Sequence, residues 1–166
     1  MTKTTDLRRA IKKRFVPLLE GKGFQTDPRY MPQFLIFRRF TPERIHVCDI
    51  QWEKYGRPRF VVNFGSSAPL GVVCHGADIE PNDVWAATTA WRGRLKPGRS
   101  PSTGSWFRQD PRLLERFWRG SGLKPPEDVV SELIELFSEI EDYWEAGTVG
   151  AHIRVHDIRW SHDRIA

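Results

Sequence analysis

The chain opens with apolar positions at helical spacing. Leu7, Ala10, Ile11, Phe15, Leu18 and Leu19 recur at intervals of three and four, while Arg8, Arg9, Lys12, Lys13 and Arg14 mostly fall elsewhere on the circumference. Residues 6–21 therefore predict an amphipathic helix with one stripe turned to a core. Thr5 or Asp6 offers a side-chain oxygen to the free N–H groups of the first turn, and Gly21 and Gly23 supply stop signals before Phe24. Pro17 has no N–H for the carbonyl of Lys13, so a kink or a break near Val16 is expected. From Tyr30 to Gly65 the pattern changes to β-branched and aromatic residues cut by turn signals. FLIFRRF (34–40), RIHVCDIQW (44–52) and RFVVNFG (59–65) are three strand-length runs joined by Thr41-Pro42-Glu43 and Tyr55-Gly56-Arg57-Pro58. Links this short join antiparallel neighbours, because a parallel crossover needs about a dozen residues. In the third run Phe60, Val62 and Phe64 alternate with Val61 and Asn63, giving one apolar face and one mixed face.

Beyond Gly65 the signal weakens. Leu70 to Cys74 has the makings of a fourth strand, and WAATTAWRGRL (85–95) reads as strand or irregular chain. KPGRSPSTGS predicts a mobile surface loop over about 97–105. A short helix is expected from Pro111 to Arg119, capped by Asp110. A clearer one starts at Pro126, where Val130, Leu133, Ile134, Phe137, Ile140, Glu141 and Trp144 hold the three-and-four spacing with only Glu141 out of character. The tail 147–166 divides between an edge strand, with Ile153 and Val155 alternating with His152, Arg154 and His156, and a last short helix peripheral to the core. The whole predicts a single α+β domain over 1–166: an antiparallel β-meander sheet covered on one face by an N-terminal and a C-terminal helix.

At 166 residues, 39% hydrophobic and 28% charged, the chain has the length and composition of one ordinary soluble domain, which excludes disorder and collagen-like classes. No apolar run approaches the roughly 20 residues that cross a bilayer, and the first fifteen residues carry charge where a signal peptide needs an apolar stretch, so a cytoplasmic protein with no membrane partner is expected. Cys48 and Cys74 sit in apolar runs (HVCDI, VVCH) and read as buried thiols. The net charge of +5 is unevenly spread. Residues 126–146 hold eight acids and no Lys or Arg, so with −8 there the rest of the chain carries +13. A solvated helix face accounts for the acids; the basic remainder suits an acidic partner.

Several segments resemble a known pattern. A first helix ending in EGKGF, a strand with FRRF, a strand ending in IQW, a turn and FVVNFG resemble the small bacterial domain-of-unknown-function family numbered four-three-zero-four. WRGRL followed by a loop and SWF is similar to that family's later segment, and the acidic amphipathic helix to its closing helix. The resemblance covers residues 5 to about 146, apart from the loop PGRSPSTGS. It implies an α+β fold and no established activity.

Three constellations are candidates for chemistry. Gln51 and Asn63 are amides in apolar strands, brought near one another by a hairpin turning at Gly56; strand-end amides satisfied by backbone are the plain alternative to a pocket on the uncovered sheet face with Arg92 or Arg94 nearby. The basic-aromatic region, with Trp91, Arg92, Arg94, Arg99, Trp106, Phe107, Arg108, Arg112, Arg116, Phe117, Trp118 and Arg119, combines the residue types of binding hot spots in a chain with seven tryptophans. It reads as core aromatics with surface arginines, as a surface for an acidic protein, or as a nucleic-acid surface, the last without any recognised motif. His152 and His156 have helical i, i+4 spacing but no HExxH glutamate, and GSS (65–67) and SPSTGS (100–105) lack the nucleophile and phosphate-loop patterns. No metal ligand set, cofactor or catalytic group is therefore assigned. The expected function is a non-catalytic binding module meeting an acidic protein partner, with a nucleic-acid binder or a small anionic ligand on the open sheet face as alternatives. Oligomeric state is not encoded in any of these patterns.

Overall fold

The structure is a computed structural model describing residues 3–29, 31–98, 104–111, 122–157 and 161–164. Most of the predicted loop (99–103) and of the predicted short helix (112–119) lies outside these residues. The chain runs α1 (Lys3–Gly21), β1 (Gln25–Thr26), β2 (Phe34–Phe40), β3 (Ile45–Trp52), β4 (Arg59–Ser67), β5 (Val72–Cys74), β6 (Ala77–Ile79), two 3-10 turns (Pro81–Asp83 and Ala86–Thr88), β7 (Trp91–Leu95), β8 (Phe107–Arg108), α2 (Pro126–Ala146), β9 (Ile153–Asp157) and β10 (Ser161–Asp163). The main sheet has the order β1-β2-β3-β4-β7-β9, with β8 pairing β4 beside β7, and all of its pairs are antiparallel. The α+β class and the flanking helices follow the hydrophobic pattern. The three predicted strand runs fall on β2, β3 and β4.

The periodicities explain the core. Leu7, Ile11, Phe15 and Leu19 of α1 and Val130, Leu133, Phe137 and Ile140 of α2 are buried against Cys48, Ile50, Trp52, Phe60, Val62 and Phe64, the helix-side face of β3 and β4. Phe15 meets Phe37 and Phe137 edge to face at centroid distances of 6.0 and 5.5 Å. Gly93 is required here, because a Cβ at that position would run into the Phe64 ring. Glu141, the polar residue in the stripe of α2, accepts from Lys22 Nζ at 2.7 Å and lies 3.7 Å from the Arg39 guanidinium. It ties the end of α2 to the residue following α1. Gly147 closes α2 at φ 68° and donates its N–H to the Tyr143 carbonyl.

Two local expectations are corrected. α1 starts at Lys3 rather than at a cap on Thr5 or Asp6, and Asp6 lies in its first turn, where it pairs with Arg9 at 3.2 Å. The helix also runs through Pro17 without ending. Pro17 and Lys13 are both exposed, so the carbonyl left without an N–H is on the solvent side, while burial of Phe15 and Leu19 holds the turn in place. The strand expected within Leu70 to Cys74 does form, as Val72–Cys74, and it lies at the centre of a separate three-stranded sheet, β10-β5-β6.

That small sheet, with the segment around the 3-10 turns, lies over part of the sheet face away from the helices. Ile45 and Val47 of β3 are buried there with Val72, Cys74, Val84 and Ala86. The tail takes strand rather than helix. β9 pairs β7 along its length, and Asp163 of β10 accepts from Arg44 at 2.9 Å and from the Ala68 N–H at 3.0 Å. Both cysteines are buried and unpaired, and burial pushes the Cys48 thiol well above its ordinary range.

Candidate binding pocket on the open sheet face

Strand alternation puts Ile45, Val47, Asp49 and Gln51 on the same face of β3. The first two are covered by the small sheet. The last two lie where the cover ends, and the polar half of β3 becomes the floor of a pocket of about 380 Å³. Asn63 of β4 stands opposite Asp49, and Arg94 of β7 stands opposite Asn63. A polar row thus crosses three adjacent strands. Asn63 Nδ2 donates to Asp49 Oδ1 at 2.8 Å and to Gln51 Oε1 at 3.3 Å, while Asn63 Oδ1 accepts from Arg94 Nε at 2.8 Å. Both faces of the amide are used, which fixes its orientation.

Asp49 is only 1% exposed. Burial raises its carboxyl to about 6, against the opposing pull of the Asn63 amide, the Ala86 N–H and the Arg94 and Arg92 guanidiniums. Burial and the neighbouring Arg92 charge lower Arg94 from its ordinary value. His156 of β9, opposite Arg92, is lowered by burial and by Arg154, Arg92 and Arg94, which keeps the imidazole neutral at pH 7. Arg92 has no hydrogen-bond or ion-pair partner among the described residues, and the same holds for the two Nη groups of Arg94. A buried acid beneath two arginines in a concavity is the arrangement in which perturbed groups mark functional sites.

Two aromatic side chains wall the other end. Phe34 of β2, opposite Gln51, meets Trp85 edge to face at 5.1 Å. Trp85 is held in place by a buttress the sequence pattern did not reveal. Buried Arg38 donates Nε to the Val84 carbonyl and Nη1 to Asp27, both at 2.6 Å, and Arg29 joins Asp27 to Asp83.

The remaining candidates do not gather into one surface. Trp91 is 54% exposed opposite Ser66, near one end of β4, whereas Arg108 pairs Arg59 at the other end. The seven residue steps from Arg59 to Ser66 correspond to about 23 Å of strand. Arg108 spends its guanidinium on Asp110 and the Pro111 carbonyl, and Trp106 lies under the Arg59 guanidinium at 4.8 Å. Arg99, Arg112, Arg116, Phe117, Trp118 and Arg119 are outside the described residues. His152 and His156 part company: His152 Nδ1 contacts Glu139 at 2.5 Å on the helix side, whereas His156 lines the pocket. Among the described residues no three His, Cys, Asp or Glu side chains are placed to share a metal.

Sequence reasoning missed Asp49, Phe34, Trp85 and His156 as pocket residues. Asp49 had a legible signal, an acid inside the apolar run HVCDI two residues before Gln51. Phe34 and Trp85 had none, since aromatics at strand starts ordinarily read as core. No protein-family model, curated protein or solved structure matches this chain. No described helix is long and apolar enough to cross a membrane.

Proposed function

We propose that this protein is a non-catalytic binding module that receives an anionic group of its ligand between Arg92 and Arg94 on the open sheet face. The observation that carries the reading is the Arg94 side chain, anchored through Nε by Asn63 with both Nη groups left for a ligand. A guanidinium held in this way has already lost rotamer freedom, so less ordering cost remains at binding, and its paired donors match carboxylate or phosphate oxygens. The acidic residues of α2 sit on a helix packed against the opposite sheet face, which leaves the arginines' potential unopposed from that element. Melting temperature measured against inorganic phosphate and sulfate tests the reading. A ligand at 100 times its dissociation constant stabilises by about 2.7 kcal/mol, and Arg94→Ala should remove that gain. No shift at any concentration, or a shift that Arg94→Ala leaves intact, overturns it.

An acidic protein partner is the second reading, favoured by Trp91, which is large and 54% exposed at the start of the strand that carries Arg92 on its other face. Capture that weakens with salt and is lost in Trp91→Ala supports it; capture indifferent to salt rejects it.

A further inference from the structure

The pocket has three chemically different sections in a fixed order. At one end Phe34 and Trp85 meet at 86°, forming a corner of two apolar planes. Next comes Gln51, whose Oε1 is occupied by Asn63 while its NH2 has no hydrogen-bond partner among the described residues. At the far end are Arg94 and Arg92. Gln51 and Arg94 are two strands and two residues apart in the ladder, about 12 Å of sheet, and Arg94 shortens that span by leaning toward Asn63. A bare anion would use only the cationic end and would leave an aromatic corner and a free amide donor facing water. A ligand that uses all three needs a flat ring, a ring-edge acceptor and an anionic group held away from the ring by a short polar linker.

Resting on the anion-binding reading above, we propose that the ligand is a nucleoside monophosphate, with its base in the Phe34–Trp85 corner, an acceptor at the base edge taking the Gln51 amide, and its phosphate on Arg94 and Arg92. The ring stacks on one aromatic face and meets the edge of the other, an arrangement that suits any base because every base presents a π face. The buried Asp49 lies under the middle of the groove and acts through Asn63, whose amide it holds in the orientation that presents Arg94.

Titration calorimetry on the whole chain with inorganic phosphate, ribose 5-phosphate and the four common ribonucleoside monophosphates separates this proposal from the one beneath it. At least one nucleotide should bind at least tenfold more tightly than ribose 5-phosphate. Phe34→Leu, which keeps apolar volume and removes the ring, should erase that difference while leaving ribose 5-phosphate affinity within twofold. Should Phe34→Leu fail to fold, Gln51→Leu in its place should lower nucleotide affinity alone. If ribose 5-phosphate and inorganic phosphate match every nucleotide, the nucleotide proposal fails and the anion site stands. If none of the six binds, both fail.

Discussion

Asn63 stands directly opposite Asp49 in the β3–β4 ladder and gives its Nδ2 to the Asp49 carboxyl at 2.8 Å. This hydrogen bond connects the two roles of the pocket. It satisfies an acid that the fold buries, and it turns the other end of the same amide toward Arg94. Removing either partner therefore disturbs stability and the proposed ligand site together.

Asn63→Leu keeps the branching and heavy-atom count of the side chain and deletes its three hydrogen bonds, to Asp49, to Gln51 and from Arg94. An unsatisfied buried polar group costs about 1 to 3 kcal/mol, and urea unfolding at pH 7 should show a loss in that range. Phosphate affinity should fall with it, because Arg94 is no longer anchored. Stability within 0.5 kcal/mol of the natural chain would mean that Asp49 is satisfied by the Ala86 N–H alone.

Acid titration should reveal two opposed linkages. The Asp49 carboxyl is raised in the folded state to about 6 from 3.8, so its contribution is greatest below pH 4 and is lost as pH rises through 6. His46 is lowered to about 4, first by burial and then by Arg39 and Arg44; it stacks on Trp144 at 4.9 Å, and its contribution is present above pH 6.5 and lost as pH falls through 4. At about 1.4 kcal/mol per pKa unit, each spans on the order of 2 to 3 kcal/mol across the same window with opposite sign. Asp49→Asn removes one of the two. Between pH 7 and 4.5 that variant should lose about 2 kcal/mol more than the natural chain, measured by denaturant midpoints at each pH. Parallel curves for the two proteins would show that Asp49 does not titrate in this window.

Pro17→Ala should stabilise the protein. Pro17 is exposed, so no packed contact is lost, and alanine restores the N–H that the Lys13 carbonyl lacks within an otherwise continuous helix. Proline in a helix interior is about 3 kcal/mol less favourable than alanine, and its fixed φ returns part of that through the unfolded chain. The expected gain is about 1 to 2 kcal/mol. A loss on substitution would show that the proline shapes a bend on which the stripe from Phe15 to Leu19 depends.

The strands and helices themselves were legible because their patterns are local. Phe60, Val62 and Phe64 alternate, and Val130, Leu133, Phe137 and Ile140 step by three and four, since each element turns one face to the same apolar core. The strand runs over 34–65 and the acidic helix thus emerge from the sequence alone, as do Gln51, Asn63 and Arg94 as polar residues on or near an uncovered face. Only the tertiary structure decided how distant segments close around them. β7 lies between β4 and β9, although residues 96–152 separate β7 from β9 in the chain, and this pairing brings His156 opposite Arg92. The small sheet covers Ile45 and Val47 but stops short of Asp49, and the Arg38–Asp27 contact fixes the segment that sets Trp85 beside Phe34. Periodicity records which side of a strand faces an apolar surface. It carries no information on which segment supplies that surface or where the cover ends, and the pocket exists because the cover ends between Val47 and Asp49.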